Sequence, residues 1–311
     1  MDDKDPIIKW LLQGDISIQY QTHRDLLGSD KQALQKVQKR ISKEGWGARF
    51  LAERRDNGHW GKWFYQPKWT STHYTLLDLK NLCLPRDERN TRESIAMVLD
   101  QPTGKEGGIN LAKTVEYSDV CLNGMILNYA SYFRPEDSKL RPIVDYLLSM
   151  QMDDGGWNCE YYHGATHSSL HTTLSVLEGL FEYRKACGKH RLKEIEEVKK
   201  DGVEFILEHK MFQSHRTGEI IDKKMLMLSY PSRWRYDILR ALDFFQEAGI
   251  DYDERMNPAI EILLKKRRKD GRWPLQMKHK GQVHFDMEET GKPSRWNTLR
   301  AMRVLRWYKI F

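Results

Sequence analysis

Apolar residues recur at helical spacing along nearly the whole of this 311-residue chain. Pro6 suits a first helical turn, and Ile7, Ile8, Trp10, Leu11 and Leu12 follow it. A second helix is expected from Ile16 to Leu27, stopped by Gly28. A third should open at Asp30, a good N-cap, and run to about Ile41. Beyond these, one unit repeats. A helical pattern leads to a glycine and then to a large apolar residue. A polar loop comes next, and a second helix rich in Ser, Thr, His, Trp, Arg and Asp at its start. The landmarks are Gly58-His59-Trp60, Gly107-Gly108-Ile109, Gly155-Gly156-Trp157, Gly218-Glu219-Ile220 and Gly271-Arg272-Trp273. Their glycines stand 49, 48, 63 and 53 residues apart.

Such a period marks stacked helical hairpins, because one hairpin cannot bury its apolar face alone. Glycine is expected to end each first helix, where a left-handed residue costs least. The tryptophan or isoleucine should plug the seam between neighbouring hairpins. The second helices are expected at Thr70 to Leu82, Ser118 to Tyr132, Ser168 to Tyr183, Ser232 to Phe245 and Ser294 to Trp307. Strand alternation of comparable length is absent, so the chain should be all-α, helix on helix. Residues 1–43 read as an N-terminal helical extension and 44–311 as the repeat array.

Composition narrows the class. Apolar residues make up 40% and charged residues 31%, enough for a core in a well-solvated chain. No apolar run is long enough for a transmembrane helix. Met1-Asp2-Asp3-Lys4-Asp5 lacks the apolar stretch of a secretory signal. Cys83, Cys121, Cys159 and Cys187 follow no paired spacing and read as free thiols, which suggests a cytoplasmic protein. The net charge is +7, but its densest run, Lys265 to Lys269, fits a helix end better than a nucleic-acid surface. Nucleic acid is therefore not an expected partner.

The stretch from Leu147 through Gln151-Met152-Asp153-Asp154-Gly155-Gly156-Trp157 resembles the QW repeat of squalene and oxidosqualene cyclases. The stretches ending at Trp60 and Trp273 resemble degenerate copies, and protein prenyltransferase β-subunits share the style. Over roughly residues 44 to 310 the resemblance implies an α/α toroid (an α/α barrel) of about five helical hairpins, an inner ring within an outer ring, with a cavity at one end. Tyr117-Ser118-Asp119-Val120-Cys121-Leu122-Asn123-Gly124 resembles the segment that carries the proton donor of oxidosqualene cyclases. On that likeness Asp119 is the acid of a small class II terpene-cyclase-like or prenyltransferase-like enzyme. His167 or His171, from the next repeat, would support it. A second Asp-x-Asp-Asp acid and an Asp-Asp-x-x-Asp metal motif are both missing.

Further candidates follow from residue type and place. Asp237 is a second acid, or a salt-bridge partner of Arg233 or Arg240. His73, Trp69, Asn123, Trp234, Tyr236 and Trp296 stand at helix starts where they would line the mouth. Arg233, Arg235 and Arg295 could grip an anion or bridge repeats. The substrate is thus expected to be a small hydrophobic or anionic molecule, an isoprenoid or related lipid, with peripheral membrane contact left open. No cofactor is expected. Zinc or magnesium is a minor alternative, with Cys159, His163, His167 and His171 at metal-like spacing and the last two on one helix face. The polar loop Gln276 to Pro293 is long enough to close over the mouth, or to lie on the surface. Two other readings stand beside the cyclase: a carbohydrate-active toroid using Asp119 and Asp237 as paired carboxylates, and a non-catalytic binding scaffold.

Overall fold

The computed structural model describes residues 3–112, 115–187 and 189–310, without the side chain of Cys187. The expectation for that thiol therefore lies outside the described residues. Cys83, Cys121 and Cys159 are free. Among the described residues the regular structure is helical, with only isolated β-bridges. The outer helices of the five hairpins are α4 (Gly45–Ala52), α6 (Arg89–Leu99), α8 (Leu140–Ser149), α10 (Leu192–Glu208) and α12 (Asn257–Lys265). Their inner partners are α5 (Thr72–Asn81), α7 (Val120–Phe133), α9 (Leu170–Cys187), α11 (Ile238–Glu247) and α13 (Arg295–Trp307). Every described residue of α7 is buried, as befits an inner-ring helix. The chain is an α/α toroid.

The plug tryptophans obey one rule. Trp60, Trp157 and Trp273 are fully buried. Each indole Nε1 donates to a carbonyl of the preceding outer helix: Phe50 at 2.6 Å, Leu147 at 2.7 Å and Leu263 at 2.7 Å. Each backbone N–H is received by a threonine of the following inner helix, Thr72, Thr173 or Thr298, at 3.0–3.1 Å. In the second repeat Ile109 is the plug and Asn123 replaces the threonine. Its side chain accepts from Ile109 N and donates to Ile109 O. Removing such a buried ring costs on the order of 3–5 kcal/mol.

Three expectations change. The repeat glycine is not the helix end: α4, α8 and α12 each stop six residues before Gly58, Gly155 and Gly271. Gly155, at φ 87°, instead closes a tight turn in which its N–H reaches Met152 O. In the fourth repeat Ile220 is no plug. It is 42% exposed, in the unit with the longest spacing. Finally, α11 starts at Ile238, capped by Asp237, so Arg233, Trp234, Arg235 and Tyr236 belong to the preceding loop.

The N-terminal helices complete the ring. α1 (Pro6–Leu12) and α2 (Ile16–Thr22) form a sixth hairpin, followed by a π turn to Leu27, Gly28 at φ 64°, and α3 (Lys31–Arg40) capped by Asp30. α2 packs between α13 and α4, and Gln21 Nε2 reaches Asn81 O at the end of α5. Arg303 of α13 bonds Gln21 and Asp25. The tightest seam is elsewhere, where α7 and α9 cross at Gly124 and Gly179. A Cβ on Gly179 would stand 2.3 Å from Gly124 O, so only glycine permits this approach. No helix is long and apolar enough to cross a membrane among the described residues.

Candidate functional site

The inner helices start at one end of the toroid, and the loops before them build its mouth. A short turn, Lys68–Thr70, precedes α5 and sets Lys68 among aromatic rings. Its Nζ lies 5.7 Å from the Tyr65 ring centre, 5.2 Å from Trp69 and 5.2 Å from Trp234. Burial lowers the Lys68 pKa, and the nearby charge of Asp119 only partly opposes this. Asp119 stands across the mouth as the N-cap of α7, accepting from Leu122 N at 2.8 Å. Burial raises its carboxyl despite that bond and the Lys68 charge. Thus both the acid and the amine are displaced toward their neutral forms. Cys121 and Cys159 lie close enough to act electrostatically on Lys68, and the Cys159 thiol is pushed up to about 11 by burial.

The two histidines of the third repeat are placed otherwise. His171 Nδ1 accepts from Tyr236 N at 2.8 Å, which leaves the ring proton on Nε2. Its pKa falls to about 4, first by burial and then by Arg240 and Arg235. His167 is exposed and bonded to Thr166, ahead of the start of α9 at Leu170. It therefore shares no helix face with His171. Among the described residues neither histidine is hydrogen-bonded to Asp119. The spaced Cys-His array does not converge either: His163 pairs with Glu160 at 2.7 Å, out in solvent. Among the described residues no group of three or more His, Cys, Asp or Glu side chains could hold a metal ion.

Several other candidates carry the architecture. Asp237 accepts from Ser229 Oγ at 2.7 Å and from Arg240 N at 2.9 Å, which occupies both oxygens. Asn123 serves the Ile109 plug. Tyr236 is buried with its hydroxyl on Met211 O at 2.5 Å. Arg295 faces α1, with Nε on Trp10 O at 3.0 Å. His73 is buried beneath the mouth, with Nδ1 3.3 Å from Tyr129 OH, and burial takes its pKa to about 3. Trp296 is buried and stacked on Tyr230 at 4.6 Å. Trp69, Trp234, Arg233 and Arg235 remain at the mouth, where Arg235 lies 4.5 Å from the Trp234 ring centre.

Below the mouth the lumen is charged. A cavity of about 130 Å³ is lined by Lys80, Glu178, Arg240, Asp243, Glu247 and Arg300, with other polar residues. Most of these charges are paired. Arg240 grips Glu178 at 2.7 Å, Arg300 meets Asp243 at 2.9 Å, and Lys80 faces Glu182 at 3.6 Å. Asp78 on α5 is the exception. Both of its oxygens lack hydrogen-bond partners, and Arg233 Nη2 stands 4.0 Å away. Burial raises Asp78 to about 6. Asn128 Oδ1, Tyr230 OH and His73 Nε2 are likewise buried without a partner. Buried polar atoms in this number call for water or a polar ligand.

Sequence reasoning missed Lys68 and Asp78. A carboxylate inside the apolar run Leu76-Leu77-Asp78-Leu79 was a usable signal. Lys68 gave none, because the rings that depress it come partly from the distant Trp234. The loop Gln276 to Pro293 does roof the mouth. Trp69 Nε1 donates to Lys280 O at 2.6 Å, and His284 Nε2 lies 3.0 Å from Thr75 Oγ1.

No protein-family model matches the sequence. No curated protein matches it either. Solved structures do. A polysaccharide lyase aligns over 95% of this chain and 90% of its own, with TM-score 0.50 and 13% identity. A family 88 glycosyl hydrolase from Bacteroides vulgatus covers 95% and 90%, with TM-score 0.47 and 11% identity. A type II terpene cyclase variant from Scytonema, in complex with geranylgeranyl dihydroxybenzoate, covers 96% and 88%, with TM-score 0.44 and 14% identity. At these identities the likeness concerns the fold: the chain has the α/α-toroid architecture that enzymes of quite different chemistry share.

Proposed function

We propose that this chain is a carbohydrate-active enzyme that cleaves a glycosidic bond by acid–base catalysis at the mouth of the toroid. One observation carries the reading: Asp119 and Lys68, displaced in opposite directions toward neutrality, share one aromatic mouth. An acid and an amine that are each drawn toward the neutral form suit proton exchange with a bound substrate. Asp119 gives its proton to the leaving oxygen. Lys68 takes the proton released on the other side, from water in a hydrolysis or from ring carbon in an elimination. Trp69, Trp234 and Tyr65 offer faces on which a sugar ring can stack. The charged lumen with its unpaired polar atoms suits a hydroxyl-rich substrate. The expected pairing of Asp119 with Asp237 plays no part, since Asp237 is occupied as a cap.

The test is a panel of neutral and acidic polysaccharides, read by new reducing ends and by ultraviolet absorbance of unsaturated products. Cleavage that Asp119→Asn and Lys68→Met both abolish supports the assignment. Cleavage that survives both substitutions removes it.

A second reading keeps Asp119 and changes the substrate. Its raised pKa also suits proton-initiated isoprenoid cyclisation of the class II type. The charged lumen and the separation of His171 from Asp119 count against it, since a carbocation needs apolar walls. Isoprenoid turnover lost in Asp119→Asn, with no saccharide cleaved, would move the assignment there.

A further inference from the structure

The loop that roofs the mouth encloses a second cavity, of about 490 Å³, between Trp69 and Phe50 on one side and His279, His284 and Phe285 on the other. Its size falls within the ordinary range for small-ligand pockets. Arg233 and Tyr230 line both this groove and the lumen, so they form the floor between the two. Arg233 is only 6% exposed and Tyr230 7%. The guanidinium lies 4.6 Å from the Trp69 ring centre. Its backbone takes φ 56°, unusual for a residue other than glycine.

Three kinds of polar atom in this groove lack partners: Arg233 Nε and Nη1, Tyr230 OH and His279 Nε2. Three other charged groups of the loop are already engaged. Lys278 pairs with Asp286 at 2.9 Å, and Glu288 receives Arg295 N at 2.7 Å at the start of α13. A buried guanidinium with free N–H groups, beside a hydroxyl, is a donor set for an oxyanion. The charge count selects its valence. Outside the Lys278–Asp286 pair, the cations that line the groove are Arg233 on the floor and Lys280 in the roof. His279 is held neutral, at about 4, first by burial and then by Arg235 and Arg233. Asp78 opposes Arg233 from behind the floor at 4.0 Å, and Glu288 lines the groove. With part of the cationic charge already opposed, a singly charged oxyanion suits the groove better than a doubly charged one.

We infer that the groove beneath residues 276–290 binds the carboxylate of an acidic sugar, with Arg233 as the anchor, Tyr230 as a supporting donor and Trp69 under the ring. This deepens the proposed function, on which it rests, by naming a uronate as the substrate unit.

Calorimetric titration of the full chain with D-glucuronate, D-glucose and inorganic phosphate tests it. Glucuronate should bind at least about 10-fold more tightly than glucose, which lacks only the carboxylate, and more tightly than phosphate. Arg233→Gln should weaken glucuronate by about 30-fold or more. Tyr230→Phe removes one hydroxyl from a residue that otherwise keeps its packing, and should weaken binding several-fold. It keeps the test sound if Arg233→Gln fails to fold. Glucose or phosphate binding as well as glucuronate would overturn the inference, as would no glucuronate binding or affinity unchanged in Tyr230→Phe. The two proposals fail separately: glucuronate bound through Arg233 without any glycoside cleavage removes the catalytic reading alone. Cleavage confined to neutral saccharides removes the carboxylate site alone.

Discussion

Gly281 rests directly on the indole of Trp69. A Cβ built at Gly281 would lie 2.5 Å from both Cδ1 and Nε1 of that ring, at a φ of 138° that other residues rarely adopt. The close seat of the roof on Trp69 therefore depends on this glycine, beside the bond from Trp69 to Lys280 O.

Gly281→Val should lift the roof without unfolding the toroid. Amides of residues 278–285 should exchange with deuterium faster, and the change in melting temperature should be small, because the loop contributes little to the inner ring. Unchanged exchange would mean that the loop is held by other contacts.

Substitution at Asp119 separates its two roles. Asparagine caps a helix about as well as aspartate, so Asp119→Asn should change stability by only a few tenths of a kcal/mol. Asp119→Ala should cost about 1 kcal/mol through the lost bond to Leu122 N. Turnover should fall by about 100-fold or more in both. Loss of activity that tracked stability across the pair would assign Asp119 to the cap alone.

Asp78 gives a pH signature. Its pKa rises from 3.8 to about 6 in the folded chain, so the folded state holds that proton more tightly than the unfolded state does. The associated stability is present in full below pH 4 and is lost as pH rises through about 6. Its total is roughly 3 kcal/mol. Asp78→Asn stays neutral throughout. Denaturant unfolding of both proteins between about pH 4.5 and 7.5 should show the variant gaining on the parent as pH rises. His73 and His171, depressed to about 3 and about 4, act in the opposite direction in both proteins and cancel in the difference. A difference flat across this range would refute the shift.

Gly179→Ala should destabilise by about 1–3 kcal/mol or more, because the added methyl meets a backbone carbonyl that cannot turn aside. A chemical melt reads this directly. An alanine at exposed Gly218, where nothing lies within 4 Å but φ is 73°, controls for backbone strain without crowding.

Trp157→Phe isolates the plug bond. The ring stays apolar, but Leu147 O loses its donor in a buried place, at a cost of about 1–3 kcal/mol plus the lost volume. A variant as stable as the parent would show that packing alone holds the seam.

Much of this fold was legible because each repeat solves its burial problem locally. The large residue after the glycine, the outer helix before it and the Ser- or Thr-rich start of the inner helix all lie within one short stretch of sequence. The exceptions depend on distant partners. Nothing in Ile16 to Thr22 announces an inner-ring helix, because its place is set by Arg303 and Asn81. The fourth repeat keeps the Gly-x-Ile pattern that suggests a plug, yet Ile220 lies in solvent. The site was half legible. Asp119 stood out through the likeness of its segment to a proton-donor segment, whereas the depression of Lys68 arises only when Trp234 and Tyr65 are brought around it. The histidine pair misled because a four-residue spacing means a shared face only inside a helix, and α9 begins after His167.

The position of α2 has a bearing on how this protein comes into being. α1 and α2 are made long before the neighbours they pack on: Arg295 reaches Trp10 O, and Arg303 reaches Asp25, across more than 270 residues. Until α13 is synthesised, α2 has an uncovered flank and the ring is an open arc. Contacts so far apart in sequence slow the final step of assembly. Throughout the interval between the making of α2 and of α13, the seam between them stands open.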